Sequence, residues 1–197
     1  MMQQQDVIRF FDRAAPAWDA QQVFSEEIAG RILDGAGVGA GQTVLDVACG
    51  TGILIPRYLA RQVRSVTAVD ISPEMARICR QKFPLPQVRV LCADVEQAAF
   101  SERFDCVMVY NAFPHFPDPQ RLLRTLSALV APGGTLTIAH GMGRADIDRR
   151  HTGPAQNISR GLPPAEEVAS WMEAFLPVRT VCDDGHMYQV TGVRPVR

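Results

Sequence analysis

The sequence predicts one α/β domain, built on a doubly wound, mostly parallel sheet of seven strands with an antiparallel last strand and helices on both faces. From residue 43 onward, short apolar runs rich in β-branched residues alternate with helical patterns, as in parallel strands joined by right-handed crossover helices. Near the end, the turn signal Asp183-Asp184-Gly185 separates two more strand-like runs, which predicts a hairpin. A chain of 197 residues is long enough for one such domain with a full core.

Each element is predicted from its local pattern. Ser72 followed by Pro73 predicts a helix start, because the hydroxyl can cap the first turn and the missing proline N–H costs nothing there. The run Phe104–Tyr110 is almost wholly apolar, which is typical of a strand buried on both faces. Residues 131–134 predict a turn, and residues 141–161 a polar segment. The strands are predicted over residues 43–48, 65–70, 87–92, 104–110, 135–139, 178–182 and 187–193. The helices between them are predicted over residues 53–62, 73–83, 119–130 and 163–175.

Residues 1–42 precede the first strand and are expected to lie outside the sheet. Apolar residues within 7–11 indicate one helix, and the pattern over residues 24–33 indicates a second. This block forms either a cover over the ligand edge of the sheet or two helices that only pack against the domain.

The composition excludes several partners and compartments. The net charge is −1 and no run of Lys or Arg stands out, so the electrostatic footprint of a nucleic-acid-binding protein is missing. The N-terminus lacks the features of a signal peptide, and no apolar run is long enough to cross a membrane. The five cysteines have no C-x-x-C spacing and favour buried reduced thiols. We therefore expect a cytoplasmic protein without a nucleic-acid or membrane partner.

In a doubly wound sheet the ligand lies at the carboxyl ends of the strands, where the strand order reverses. Four predicted strands carry a useful feature at that end. The first runs into the turn at residues 48–52, Asp70 closes the second, Asp94 follows the third, and Asn111 follows the fourth. Each feature alone could be a structural joint or a helix cap. Together, in this order, they predict a ligand site.

The chemistry of these positions suits a nucleoside. Paired glycines let the backbone approach a bulky ligand, and the following helix offers free N–H groups. Asp70 can accept hydrogen bonds from both ribose hydroxyls, while Asp94 and the N–H of Val95 can read the edge of adenine. Asn111 can bind a polar ligand tail. A dinucleotide site would need a third glycine within residues 53–56, and its absence disfavours a nicotinamide-dependent oxidoreductase.

With these motifs in place, the chain resembles the class I S-adenosylmethionine-dependent methyltransferases, which have a Rossmann-like fold. Residues 46–52 are similar to the first motif of that family, with Ala48 in place of its commonest first glycine. Asp70 is similar to its ribose acid, Asp94 to its adenine-side acid, and residues 129–136 to the L-x-P-G-G segment before its fifth strand. The branch of ubiquinone and menaquinone methylases is indicated by two further segments, residues 10–19 and 111–118.

The resemblance implies S-adenosylmethionine as the cofactor and S-adenosylhomocysteine as its product. It also implies a division of the domain into an N-terminal cover (1–42), a cofactor-binding core (43–140) and an acceptor side (141–197) with a loop, a helix and the final hairpin. The residues expected to bind the cofactor are Trp18, Asp46, Ala48, Gly50, Gly52, Asp70, Ile71, Asp94, Val95 and Asn111.

The four histidines are expected at the same rim of the sheet. His115 follows the fourth strand, His140 ends the fifth, His151 lies in the next loop, and His186 begins the reversed last strand. We hypothesise that two or more of them line the acceptor pocket, where they position or deprotonate the acceptor.

Two alternatives for the polar residues stay open. Some of the histidines could instead hold zinc, iron or nickel with nearby carboxylates, although the spacing matches no standard motif and the metal is unknown. The candidate ligands are His115, His140, Asp146, Asp148, His151 and His186. A group of arginines after the fifth strand could favour an anionic acceptor or could form a solvated loop: Arg144, Arg149, Arg150 and Arg160.

The sequence therefore predicts an enzyme, a monomer or homodimer, that transfers a methyl group to a small-molecule acceptor by in-line displacement. A sulfonium methyl is already activated, so the protein mainly has to position the acceptor and exclude water. The competing hypotheses are a cofactor-binding regulatory protein without activity, a metal-assisted methyltransferase that uses the histidines, and the oxidoreductase.

Overall fold

The computed structural model describes residues 2–150 and 157–196, and only the backbone of Arg150. Within these residues, seven strands form one sheet in the order β3-β2-β1-β4-β5-β7-β6. The strands are β1 (Thr43–Val47), β2 (Ser65–Asp70), β3 (Val88–Cys92), β4 (Phe104–Tyr110), β5 (Val130–His140), β6 (Val178–Asp183) and β7 (Tyr188–Val193). The helices are α1 (Gln4–Ala14), α2 (Trp18–Gln21), α3 (Glu26–Ala36), α4 (Ile55–Ala60), α5 (Pro73–Lys82), α6 (Pro119–Ala128), α7 (Arg144–Arg150) and α8 (Ala165–Glu173).

The strand directions confirm the predicted doubly wound fold. All pairs from β3 through β5 are parallel, whereas β7 is antiparallel to both of its neighbours, β5 and β6. Six strands thus share one direction, and β7 is reversed. The strand order reverses between β1 and β4, so the carboxyl ends of β1, β2 and β4 open onto one crevice.

Helices cover both faces of the sheet because its central strands alternate between two apolar layers. Leu45 and Val47 of β1 face one layer, which includes α6 and α8, and Val44 faces the other, which includes α3, α4 and α5. All five residues of β1 are buried, as expected for a parallel strand covered on both sides. The two layers fix β1, and with it the turn that follows.

The N-terminal residues lie in two different places. Helix α3 packs into the core, where Ile32 and Leu33 are fully buried and the Ile32 carbonyl accepts a hydrogen bond from the Gln189 side chain (3.1 Å). Helices α1 and α2 instead lie at the carboxyl edge of the sheet, and α1 packs against α5.

Two segments differ from their sequence predictions. The turn predicted at residues 131–134 is a bulge inside β5, which pairs with β4 at Val130, leaves the register and resumes at Thr135. The polar segment predicted after β5 contains α7, whose charges pair with one another, as Arg144 with Asp148 and Arg149 with Asp146. Such i,i+3 and i,i+4 ion pairs support a helix with little apolar periodicity, so the pattern did not indicate one.

The described parts of the chain contain no helix with both the length and the apolar character needed to cross a bilayer.

Candidate functional site

The turn after β1 has a left-handed backbone at alternate positions. The φ angles are 53° at Ala48, 56° at Gly50 and 87° at Gly52. Glycine adopts such angles without strain, whereas an alanine there costs about 1–2 kcal/mol. Inside the turn the Cys49 N–H donates to the Val69 carbonyl (3.1 Å) and the Gly52 N–H to the Cys49 carbonyl (2.9 Å), so these bonds hold the turn next to β2.

Gly52 is placed by packing rather than by contact with the crevice. A Cβ atom added there would lie 2.7 Å from the Phe83 ring, 2.8 Å from the Ile55 side chain and 2.9 Å from Cys79 Sγ. These atoms belong to α4, to α5 and to the residue that follows α5, so this position holds the turn close to both helices.

Asp70 ends β2 beside this turn and joins it to the next helix. One carboxylate oxygen, Oδ2, accepts a hydrogen bond from the Gly50 N–H (2.7 Å), and Oδ1 accepts one from the Ser72 N–H (2.9 Å). Burial raises the pKa of Asp70 to about 6; the two N–H donors oppose this rise and the charge of Asp12 adds to it. The group is therefore a buried carboxylate at neutral pH, held in place by backbone donors.

Asp94 follows β3 and is bonded to the N-terminal helix. Its Oδ1 accepts a hydrogen bond from the Glu96 N–H (2.9 Å), and its Oδ2 accepts from the side-chain amides of Gln4 and Gln97 (2.8 Å each). Val95 beside it is buried at 4% exposure. Gln4 thus connects the first turn of α1 to Asp94.

Two further carboxylates anchor the N-terminal helices at the same edge. Asp12 Oδ1 accepts a hydrogen bond from Ser72 Oγ (2.6 Å), which itself caps α5. Asp19 accepts hydrogen bonds from the Thr51 hydroxyl and from the Lys82 ammonium (2.7 Å). Helices α1 and α2 are therefore fixed next to the turn and next to Asp70.

A cavity of about 360 Å³ lies between these N-terminal helices and the carboxyl edge of the sheet. This volume falls in the range of small-molecule sites. On the side of β2 and β3, its wall includes Asp70 and Asp94. On the side of β4 and β5, the wall is largely apolar and aromatic, with Phe11, Phe116, Pro117, Met142, Ile147 and Ile158. Among the described residues, no Lys or Arg side chain lines the cavity.

Two of the four predicted histidines line the cavity. His115 Nδ1 donates a hydrogen bond to the Ile158 carbonyl (2.7 Å), and its ring lies edge to face with Phe11 at a centroid distance of 5.0 Å. His140 is buried at 2% exposure, with its ring edge to face with Tyr188 at 5.8 Å.

The other two histidines are not brought to this wall. His186 is exposed in the turn between β6 and β7, where its N–H donates to Asp184 Oδ1 (2.9 Å), and it does not line the cavity. His151 lies outside the described residues. The topology placed His186 at the correct edge of the sheet, but the hairpin carries its side chain away from the crevice.

Most residues predicted to bind a cofactor share the wall of this cavity: Trp18, Ala48, Gly50, Asp70, Ile71, Asp94, Val95 and Asn111. Asp46 and Gly52 do not. Asp46 is buried in the middle of β1, where burial raises its pKa to about 7. Both residues lie outside the cavity wall and pack against the turn, so we attribute their place in the motif to packing.

Sequence reasoning missed several residues of the wall and of its anchors. Tyr110 ends β4 and lines the cavity, and burial raises its pKa to about 12, so the phenol stays protonated at neutral pH. Its strand-end position was a usable signal. Gln4 lies in a run of glutamines that carries no pattern, and the anchoring roles of Asp12 and Asp19 depend on long-range contacts.

The described residues provide no support for a metal centre. Within residues 2–150 and 157–196, no three side chains of His, Cys, Asp or Glu are grouped so that they could hold a metal ion. Asp148, one of the predicted ligands, accepts a hydrogen bond from the Leu162 N–H (3.2 Å) and lies near Arg144. Another predicted ligand, His151, lies outside the described residues.

The doubly wound sheet with its reversed strand β7 is also the fold of a solved S-adenosylmethionine-dependent methyltransferase from Aquifex aeolicus, with a TM-score of 0.68 at 22% identity over 84% of this chain and 88% of that structure. Residues 45–138 match a family model described as a methyltransferase domain. The family resemblance stated from the sequence motifs is confirmed.

Several curated relatives match about half of the chain, and solved structures have a similar fold. An uncharacterized methyltransferase of Mycobacterium tuberculosis is 42% identical over 98 residues, which are 49% of this chain and 49% of the relative. A ubiquinone biosynthesis O-methyltransferase of Coxiella burnetii is 35% identical over 99 residues, 49% of this chain and 42% of the relative. The chain spans about half the length of these curated relatives. The N-methyltransferase NodS of Bradyrhizobium japonicum, solved with S-adenosyl-L-homocysteine, has the same fold, with a TM-score of 0.74 at 16% identity over 96% of this chain and 99% of NodS.

Replacement of Gly52 by alanine should destabilise the domain. The added Cβ meets three side chains and the backbone keeps a left-handed angle, so we expect a loss of about 2–4 kcal/mol in the free energy of unfolding, measured in urea. The matched control is Ala48→Gly, where relief of strain and a larger unfolded-state entropy oppose each other and the net change should stay within about 1 kcal/mol. Equal losses in both variants would contradict this account of the turn.

Removal of the Asp12 carboxylate should loosen α1 without unfolding the domain. A hydrogen bond to a charged acceptor contributes about 1.5–3 kcal/mol, so amide hydrogen exchange over residues 4–14 should become at least about 10-fold faster in Asp12→Ala. The control is Arg9→Ala on the same helix, whose side chain is 66% exposed. If α1 exchanges at the wild-type rate in Asp12→Ala, this anchor is not what holds the helix.

Proposed function

We propose that this chain is an enzyme that binds S-adenosylmethionine in the cavity and transfers its methyl group to a small uncharged acceptor bound beside it. The observation that carries the proposal is the buried carboxylate of Asp70. It lies in the cavity wall at the end of β2, held by the N–H groups of Gly50 and Ser72, where a doubly wound fold binds ribose.

The wall on the side of β1 to β3 has the groups that a nucleoside with an amino-acid tail needs. Asp70 would accept hydrogen bonds from the ribose hydroxyls, and Asp94 with the N–H of Val95 would bind the edge of adenine. Gly50 lets the backbone approach the ligand, while Trp18 and Ile71 supply apolar contact. When bound, the cofactor supplies a methyl group on a positively charged sulfur, which is already activated for displacement.

The lining of the cavity on the side of β4 and β5 favours an uncharged acceptor. It is lined by aromatic and aliphatic side chains, and no Lys or Arg among the described residues reaches it. Two of the basic residues after β5 are paired with acids: Arg144 lies 3.7 Å from both Asp148 and Asp183, and Arg149 pairs with Asp146. An anionic acceptor would therefore lose its hydration without gaining a charge partner here.

Three polar side chains are available to orient the reacting atom. The hydrogen bond of His115 to a carbonyl puts a ring proton on Nδ1, and we propose this imidazole as the base for a hydroxyl or N–H acceptor. His140 lies at the end of β5, and Tyr110 offers a protonated phenol at the end of β4. The cover formed by α1 and α2 would exclude water from the side of the cavity where the acceptor binds.

The wider assignments are proposals of the same kind. We assign α1 and α2 to the cover, the sheet up to β5 to the cofactor, and the segment after it to the acceptor. All five cysteines are free thiols, which is consistent with a reducing compartment such as the cytoplasm. The oligomeric state proposed is a monomer or homodimer.

The competing proposal is a regulatory protein that keeps the nucleoside site without catalysis. Turnover separates the two. We expect transfer of a labelled methyl group to members of a panel of uncharged hydroxyl, amine and thiol compounds, and much weaker transfer to the matching carboxylates and phosphates. The product would be followed by S-adenosylhomocysteine formation above the acceptor-free rate. Binding of the cofactor without transfer to any compound of a broad panel would favour the regulatory protein.

Cofactor affinity should depend on the charge of Asp70. Asp70→Asn removes a charged hydrogen-bond acceptor, so we expect S-adenosylhomocysteine to bind about 10- to 100-fold more weakly in calorimetry, from a loss of about 1.5–3 kcal/mol. The matched control is Asp34→Asn, an acid paired with Arg61 away from the cavity, with unchanged affinity.

The same group predicts a pH dependence. The ribose hydroxyls need the carboxylate form, and the free protein holds the pKa of Asp70 at about 6. Affinity should therefore be constant from pH 8 to pH 7 and fall towards tenfold per pH unit below about 6, as a proton competes with the ligand. In Asp70→Asn this fall towards tenfold per pH unit below about 6 should be absent. A wild-type profile without this fall would remove Asp70 from the ribose role.

A further inference from the structure

The aromatic ring of Phe11 connects the two halves of the cavity. It lies edge to face with the Trp18 indole (centroid distance 5.5 Å, interplanar angle 79°) and with the His115 imidazole (5.0 Å, 78°). Trp18 in turn lies against the turn after β1, with Nε1 3.6 Å from the position that a Cβ on Gly50 would take. One continuous row of rings therefore runs from the proposed cofactor side to the proposed acceptor side.

We propose that Phe11 is a positioning residue that holds the His115 ring in one orientation and one tautomer, and links that orientation to the docking of the N-terminal helix. The proposal rests on the proposed function only where it concerns the cofactor. The contact between Phe11 and His115 can be tested without any ligand.

The helix that carries Phe11 is fixed immediately beside it. The neighbouring Asp12 accepts hydrogen bonds from Ser72 Oγ (2.6 Å) and from the Glu74 N–H (3.1 Å) at the start of α5. At the other end of α1, Gln4 donates to Asp94 (2.8 Å). These bonds set the position and rotation of α1, and hence the place of the Phe11 ring.

His115 is held between two supports that face it from different elements. Its Nδ1 donates to the Ile158 carbonyl in the segment after α7, and its ring meets Phe11 of α1. A rotation of the ring by half a turn about the Cβ–Cγ bond would break the carbonyl hydrogen bond, and it would exchange the ring atoms that face Phe11. The carbonyl selects the Nδ1-protonated tautomer, which decides which nitrogen is basic, and Phe11 packs against the ring in the orientation that makes this bond.

This arrangement makes cofactor binding and His115 orientation mutually dependent. The cofactor is proposed to contact Asp70, Asp94 and Trp18, and the same N-terminal helices that bond to this region carry Phe11. If cofactor binding changes the position of α1, the orientation of His115 therefore changes with it. By linkage, the orientation of His115 changes the affinity for the cofactor by the same factor.

The test is nitrogen NMR of the full chain with ¹⁵N-labelled histidine, which reports the ring nitrogen that carries the proton. The His115 signal is identified by its loss in His115→Gln. The wild type should show the Nδ1-protonated form. Phe11→Ala should show a mixture of tautomers at His115, and S-adenosylhomocysteine should bind about 5-fold more weakly, the size expected for one aromatic pair. Phe11→Tyr should restore both properties.

The comparison variant is Phe10→Ala, which removes a ring of the cavity wall and its edge-to-face contact with Phe11 (5.3 Å) but leaves the ring that meets His115. We expect the His115 tautomer to be preserved in it. A wild-type pattern at His115 in Phe11→Ala would overturn the proposal, as would equal disturbance by both alanine variants, which would mean a general loss of α1 packing. If Phe11→Ala does not fold, Phe11→Leu is measured against Phe11→Tyr by the same criterion. A wild type that gives no heat with S-adenosylhomocysteine defeats the proposed function, while the ligand-free tautomer comparison still decides the role of Phe11.

Discussion

The carboxylate of Asp70 is the group on which the site depends, because it is buried and is held by hydrogen bonds from backbone N–H groups. Its two oxygens accept hydrogen bonds from the N–H groups of Gly50 and Ser72, which belong to different connections of the sheet. A buried carboxylate is costly unless donors compensate it. The left-handed turn after β1 and the serine-capped start of α5 supply these donors, and both are set by the packing of β1 and β2 in the centre of the sheet.

The N-terminal helices on the far side of the cavity are also held by hydrogen bonds to the groups that form the site. They do not bury a large apolar face against the sheet but bond through side chains to the groups that form the site. Gln4 reaches Asp94, Asp12 reaches the cap of α5, and Asp19 reaches the turn through Thr51. A cover that is held by a few polar bonds can open without loss of the core, because local opening needs only those bonds to break. We therefore expect the helices that enclose the cavity to open more readily than the core.

Most of the fold could be predicted from the sequence, because parallel strands that are buried on both faces have a strong local pattern of apolar residues. The predicted strand from residue 104 to residue 110 has the bounds of β4, and the Ser72-Pro73 signal marks the start of α5. The missed features depend on other information. Helix α7 is stabilised by ion pairs rather than an apolar stripe, and the bulge in β5 depends on how Val130 pairs with β4. In the site, strand ends located Asp70 and Asp94, but His186 shows that a residue at the correct edge can still be carried outward by its hairpin.

The position of β7 has a consequence for how the chain is made. This strand comes after β6 in the chain but lies between β5 and β6 in the sheet. During synthesis, β6 leaves the ribosome before the strand that must separate it from β5. The backbone groups at the edge of β5 therefore stay unpaired until β7 has been synthesised. Unpaired groups at a strand edge can pair with β6 or with another nascent chain. A chaperone that shields this edge during translation would therefore protect the yield of folded protein more than one that acts on the finished chain.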